Sequence, residues 1–251
     1  MDYSFNSENI TPQTLEKNNV HVWRMSLDID LKRLESFMRI LADDERARAQ
    51  RIRIENVKSH YVAARGFLRT ILSAYTSRPP EDLEFQYNQY GKPSLSGSDL
   101  KGISFNMSHS HGSALYGIAL ERNLGVDIEK VRENMPHIKI AERFFSSKEY
   151  EALLTLPPHQ QIPAFFNCWT RKEAYLKARG EGISSSLSNF SVSFLPGEPP
   201  ALLDHPLGLQ ETSGWTFMNI DVGPDYKGAV VVEGLGDSKA LKMFTQDQLT
   251  P

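Results

Sequence analysis

The chain has 251 residues, with 28 Lys and Arg against 31 Asp and Glu, for a formal charge of −3. Hydrophobic residues at 40% and charged residues at 24% suit a soluble globular protein of one large or two small domains, and the slight acidity argues against bulk binding to nucleic acid. A single cysteine, Cys168, rules out an internal disulfide and fits a reducing, cytoplasmic setting; no run approaches the roughly 18 apolar residues of a membrane span, and the polar start does not read as a signal peptide.

Residues 1–20 read as a frayed polar start. His21–Asp30 alternates Val22, Arg24 and Ser26 against Trp23, Met25 and Leu27, the period of a strand. From Leu31 to Ser77 the pattern is helical, with Tyr61, Val62, Phe67, Leu68, Ile71, Leu72 and Tyr75 recurring at three- and four-residue steps until Arg78-Pro79-Pro80 stops them. Leu83–Asn88, Ile103–Met107 and Ala114–Leu120 read as strands, with Gly91-Lys92-Pro93 as a loop between the first two. The second half repeats this rhythm. A strand at Leu124–Glu129 is followed by helices at Ile138–Phe145, Lys148–Leu156 and Ile162–Arg179, the last ended by Gly180 and Gly182. Strands at Phe190–Phe194, Gly214–Asp221 and Lys227–Val232 complete it. The expected fold is therefore α+β, a duplicated unit dividing at 1–121 and 122–251. Short, hairpin-linked strands and the absence of both Gly-rich phosphate fingerprints exclude a doubly wound nucleotide-binding sheet.

Four stretches could carry chemistry. In Gly125-Val126-Asp127-Ile128-Glu129, alternation puts Val126 and Ile128 on one face and Gly125, Asp127 and Glu129 on the other. Two carboxylates at i and i+2 can converge on a hard cation such as magnesium, with Gly125 leaving room beneath it; spacing alone leaves open a solvated strand end with two incidental acids. On the long helix Glu173 and Lys177 stand one turn apart, suited to a further carboxylate ligand or base and a phosphate-neutralising cation, or else to an ordinary surface pair. Trp169, Ala174 and Leu176 beside them read as core, as does Cys168. In Phe105-Asn106-Met107-Ser108-His109-Ser110-His111 a strand end offers hydroxyls and imidazoles to a phosphate. Lys92 stands on a rigid loop. A fifth feature, the run Arg46, Arg48, Arg51 and Arg53, reads as a polyphosphate contact or a solvated helix face.

Taken together and in this order, Gly91-Lys92-Pro93, Phe105–Ser110, Gly125–Glu129, Ala141-Glu142-Arg143-Phe144-Phe145-Ser146 and Trp169-Thr170-Arg171-Lys172-Glu173-Ala174-Tyr175-Leu176-Lys177 resemble the 4′-phosphopantetheinyl transferase family over roughly residues 40–232. The resemblance is to the two-domain, surfactin-synthetase-activating type rather than the short trimeric holo-acyl-carrier-protein synthases. It implies a monomeric pseudo-dimer of two similar α+β subdomains with coenzyme A at their interface, and magnesium held by Asp127, Glu129 and Glu173. It implies phosphate contacts from Lys92, Ser108, His109 and Lys177, and from Arg48, although Glu45 stands where relatives often carry a basic residue and Arg46 or Arg53 could take that role. The implied reaction moves phosphopantetheine from coenzyme A to a serine of an apo-acyl, polyketide or peptidyl carrier protein, with Glu173 as base and Lys177 at the departing phosphate. No nucleic acid or membrane partner is implied. Two rivals use the same residues: a silent coenzyme A or carrier-binding module, and a magnesium-dependent hydrolase of the coenzyme A pyrophosphate.

Overall fold

The computed structural model describes residues 15–97, 102–180, 187–235 and 241–249. Gly182, expected to help end the long helix, and most of the polar start lie outside them. The first half runs β1 (Val20–Ser26), α1 (Leu31–Ile40), α2 (Asp43–Arg51), α3 (Glu55–Thr76), β2 (Phe85–Tyr87), β3 (Pro93–Leu95), β4 (Ile103–Ser110) and β5 (Ser113–Leu120). The second runs β6 (Leu124–Lys130), α4 (His137–Phe144), α5 (Ser147–Thr155), α6 (Pro158–Arg179), β7 (Ser191–Val192), β8 (Leu202–Asp204), α7 (Leu209–Ser213), β9 (Trp215–Ile220) and β10 (Tyr226–Glu233), and β11 (Leu241–Thr245) follows. Apart from the single-turn α7, the two halves have the same element order. Each has one strand, two short helices, a 22-residue helix, a small hairpin and a strand pair.

The sheets repeat as well. In the first, β1 lies antiparallel to β5 and β5 to β4; in the second, β6 lies antiparallel to β10 and β10 to β9. One strand breaks the symmetry. β11 pairs in parallel with the outer edge of β1, so a strand from beyond residue 122 completes the sheet of the first half.

Strand alternation sorts side chains between three cores. Val20, Val22, Leu115 and Ala119 meet Leu124, Val126, Ile128, Val230 and Val232 between the sheets. The opposite face of the first sheet, with Trp23, Met25, Tyr116 and Ile118, packs on α3, and that of the second, with Phe217, Ala229 and Val231, packs on α6. On β1 the helix-facing side carries His21, Trp23 and Met25; on β6 it carries Gly125, Asp127 and Glu129. That exchange places acids where a core would otherwise continue.

Each half also anchors its long helix by a buried ion pair. Glu45, third residue of α2, accepts from the Ala42 backbone N–H at 2.9 Å and from Arg69 Nε at 2.6 Å, and also pairs with Arg65. Glu149, third residue of α5, accepts from Ser146 N–H at 2.8 Å and from Lys172 Nζ at 2.7 Å. Both carboxylates cap their own helix N-terminus while holding a cation of the next helix. The helix expected from Ile162 begins earlier, at Pro158. Pro157-Pro158 both ends α5 and starts α6, since a proline in the first turn lacks only an N–H that has no intrahelical partner there. Gly180, at φ +69°, closes α6 in the left-handed conformation.

Candidate active site

Gly125 decides where α6 lies. A Cβ there would fall on the carbonyl oxygen of Ala174 and the backbone nitrogen of Ala178. The glycine therefore admits the helix backbone against the strand, and the room expected beneath a cation is filled by α6 itself. This close approach brings Lys177 over the strand acids. Its Nζ donates to Asp127 Oδ1 at 2.6 Å and to Ser108 Oγ at 2.8 Å. Glu173, only 7% exposed, lies one turn earlier on the same helix and carries no hydrogen bond among the described residues. An ordinary surface pair between Glu173 and Lys177 is thus excluded: the acid is buried and the lysine turns to Asp127.

β4 fixes the other side of β6. Its even residues face the strand, and the register is regular: Ser108 Oγ donates to Asp127 Oδ1 at 2.7 Å and Ser110 Oγ to Glu129 Oε2 at 2.9 Å. Asn106 Oδ1 accepts from Val126 N–H at 3.0 Å, and Ser110 Oγ accepts from Lys130 N–H at 3.2 Å. Side chains of β4 thereby close the free edge of β6. Asn106 and Ser110 hold β6 beside Ser108, contacts that the motif alone did not single out, although the period-2 spacing with Ser108 was there to be read. Ser108 itself orients Asp127 and Lys177.

The electrostatics of this group are those of three neighbouring acids sharing the one ammonium of Lys177. Burial, then the neighbouring Asp127 charge, pushes Glu173 up to about 7, with Lys177 opposing. Burial and Asp127 likewise raise Glu129, while its Ser110 hydrogen bond lowers it. Asp127 is 3% exposed, and its Oδ2 is buried without a hydrogen-bond partner. Among the described residues no three His, Cys, Asp or Glu side chains are already gathered on one point. Even so, an orphaned carboxylate oxygen and two acids raised by burial and then by the Asp127 charge fit a divalent cation, a hard ion that takes oxygen ligands.

Beside the acids opens a cleft of about 390 Å³. Ala64, Pro93 and Met107 give it apolar walls, and Arg48, Arg65, His109 and Lys177 give it cationic or hydrogen-bonding groups. Of the basic run on α2, Arg48 lines this cleft, its guanidinium 5.4 Å from the Tyr61 ring centre. Arg46 instead binds Asp43 and the Leu41 carbonyl. Glu45, in the place of an expected basic residue, is the buried anchor of Arg65 and Arg69. His109 opens onto the cleft, its pKa lowered by partial desolvation and then by Lys177 and His60; His111 sits at the tight β4–β5 turn with φ +43°.

Lys92 departs from expectation. Its Nζ donates to the Ala178 carbonyl at 2.9 Å and the Leu124 carbonyl at 3.2 Å, and burial lowers its pKa to about 8. Where the sequence predicts a phosphate contact, Nζ turns to two backbone carbonyls, because the β2–β3 hairpin packs against the end of α6 and the start of β6. Trp169, Ala174, Leu176 and Cys168 are core residues, as their spacing indicated.

A cleft of mixed apolar and cationic lining that ends on a lysine bound to Asp127 can receive a phosphorylated ligand. Comparison with known proteins agrees. The family model of the 4′-phosphopantetheinyl transferase superfamily matches residues 123–231. The 4′-phosphopantetheinyl transferase HetI of Nostoc sp. is 36% identical over 224 residues, covering 89% of this chain and 91% of that protein. The 4′-phosphopantetheinyl transferase Sfp of Bacillus subtilis is 31% identical, covering 86% and 92%. Among solved structures, a holo-(acyl-carrier-protein) synthase from Bacillus anthracis in complex with CoA (3′,5′-ADP) shares 22% identity over 44% of this chain and 94% of that one, with a TM-score of 0.37. The chain belongs to the 4′-phosphopantetheinyl transferase superfamily. It is a transferase of the phosphopantetheinyl group, similar to HetI and Sfp over most of its length.

Proposed function

We propose that the cleft between the two halves, read as residues 1–121 and 122–251 of a monomeric pseudo-dimer, binds coenzyme A. A serine of an apo-acyl or peptidyl carrier protein is then the acceptor. The observation that carries this reading is the juncture at Lys177: one ammonium group lines the cleft beside Arg48, His109 and Met107 and bonds to Asp127, next to the buried Glu173 and the half-buried Glu129. In this reading Arg48 and His109 contact the phosphates of the adenosine end. Ser108 and Lys177 align the pyrophosphate.

Asp127, Glu129 and Glu173 would hold magnesium, which when bound supplies charge neutralisation to the pyrophosphate. The chain's own residues move the proton and orient the groups. A serine hydroxyl is a poor nucleophile and must lose its proton as it attacks. Glu173, one turn from Lys177 on the same helix, is the acid offered for that role, directly or through water. The serine oxygen bonds to the phosphorus of the pantetheine phosphate, the bond from that phosphorus to the bridging oxygen breaks, and adenosine 3′,5′-bisphosphate leaves. Lys177, held by Ser108, stabilises the negative charge on the departing phosphate. We place the protein in the cytoplasm, where coenzyme A and reduced Cys168 belong together.

Titration calorimetry with coenzyme A and dephospho-coenzyme A, each with and without magnesium, tests the donor. Tighter binding of coenzyme A, strengthened by magnesium and lost on Lys177→Ala, supports this assignment. Equal binding of both, indifferent to magnesium, refutes it.

A further inference from the structure

The β2–β3 hairpin reaches across from the first half to the two elements that carry the candidate catalytic residues. Asn88 shapes its tip: Oδ1 accepts from the backbone N–H groups of Tyr90 and Lys92, both at 2.9 Å, around Gly91 at φ +83°. The same side chain donates through Nδ2 to the Gly180 carbonyl at 2.9 Å. Lys92 Nζ donates to the carbonyls of Ala178 and Leu124. The last carbonyls of a helix have no partner within it, and a positive group is favoured at that end of the dipole. One hairpin tip thus caps α6 immediately after Lys177 and holds the start of β6 three residues before Asp127. Its neighbours Tyr87, Gly91 and Pro93 line the cleft.

We propose that Asn88 and Lys92 are positioning residues: they fix α6 and β6 against the cleft wall, so that Lys177 and Asp127 stand opposite the bound coenzyme. Lys92 is then a helix-capping cation and not a phosphate ligand. The proposal rests on the reading of the cleft as the coenzyme A site. A phosphate ligand would act through ground-state binding. A latch acts through the alignment of the reacting groups, where a displacement of about 1 Å can cost about a hundredfold in rate.

The test uses full-length protein with Asn88→Asp, which keeps the Oδ1 acceptor but sets a carboxylate against the helix end, and with Lys92→Met and Lys92→Arg. Circular dichroism checks folding. Asn88→Asp and Lys92→Met should each lower kcat by roughly ten- to a hundredfold. The KM for coenzyme A should stay within about threefold, and the fall should be equal with dephospho-coenzyme A. Lys92→Arg, which still donates to carbonyls, should recover most of the rate. In the protein alone, amide hydrogen exchange at residues 177–180 should quicken by roughly tenfold in both latch variants, because local opening then requires fewer broken hydrogen bonds. Unchanged exchange overturns the latch. So does a Lys92→Met protein whose only defect is a higher KM for coenzyme A, beside an Asn88→Asp protein of normal kcat. Should the wild-type protein transfer nothing, the functional reading fails, and hydrogen exchange still decides the latch.

Discussion

Replacing Glu173 by glutamine should stabilise the metal-free protein at alkaline pH while damaging its chemistry. The carboxyl stands at about 7 in the folded chain against an ordinary value of 4.5, raised first by burial and then by Asp127. Between those two values the folded protein holds a proton that the unfolded chain has released. The difference is absent below about pH 4.5, and stability falls as pH climbs through the window, levelling off above 7. At about 1.4 kcal/mol for each pH unit, the full loss is about 3 kcal/mol. Glu173→Gln has the same shape and no such proton. With a chelator present, thermal unfolding by circular dichroism should find the two proteins similar near pH 4.5, with the variant ahead by roughly 6–12 °C at pH 8, given about 2–4 °C per kcal/mol for a chain of this size. Millimolar magnesium should narrow the gap by stabilising the wild type alone. Parallel melting curves across the pH range, with no response to magnesium, would refute the picture of crowded acids awaiting a cation.

Gly125→Ala should destabilise the protein by about 3 kcal/mol or more, the upper end for overpacking, because the obstructing atoms are helix backbone that cannot rotate away. Urea denaturation should show a lower midpoint at unchanged slope, and a loss below about 1 kcal/mol would mean that α6 shifts freely on β6. His109→Ala should raise the KM for coenzyme A by roughly tenfold and leave dephospho-coenzyme A nearly untouched, as expected for a contact made in the ground state. Equal effects on both donors would remove His109 from the 3′-phosphate.

Much of this arrangement was legible in the chain. The alternation of Val126 and Ile128 against Asp127 and Glu129 predicts which side of β6 enters a core, and the structure follows it. The helix before Arg78-Pro79-Pro80 and the helix before Gly180 both end where backbone constraints require. What escaped was long-range and backbone-directed. Lys92 binds the carbonyls of Ala178 and Leu124, and a carbonyl leaves no mark in a sequence, so a capping lysine and a phosphate-binding lysine look alike there. Nothing local in the sequence marks Glu45 or Glu149 as buried, because the cation that each pairs with, Arg69 or Lys172, stands more than twenty residues away on the next helix. β11 is a short amphipathic run whose partner β1 lies at the other end of the chain. Nothing local distinguishes such a strand from a polar tail. The need for room at Gly125 is legible in the motif, but that the α6 backbone takes up this room is not.

If Lys177 and the acids around Asp127 form a single transfer site at the mouth of the cleft, carrier modification depends on them. Intact mass measurement of apo-carrier proteins incubated with coenzyme A and magnesium tests it most directly, comparing wild type with Glu173→Gln. The wild type should add one phosphopantetheine group to the carrier serine and leave coenzyme A otherwise intact. The folded Glu173→Gln protein should still bind coenzyme A and transfer at least about a hundredfold more slowly, the low end for loss of a general base, with added magnesium failing to restore the rate fully. Near-normal carrier modification by Glu173→Gln, or consumption of coenzyme A by the wild type without any modified carrier, would contradict the account.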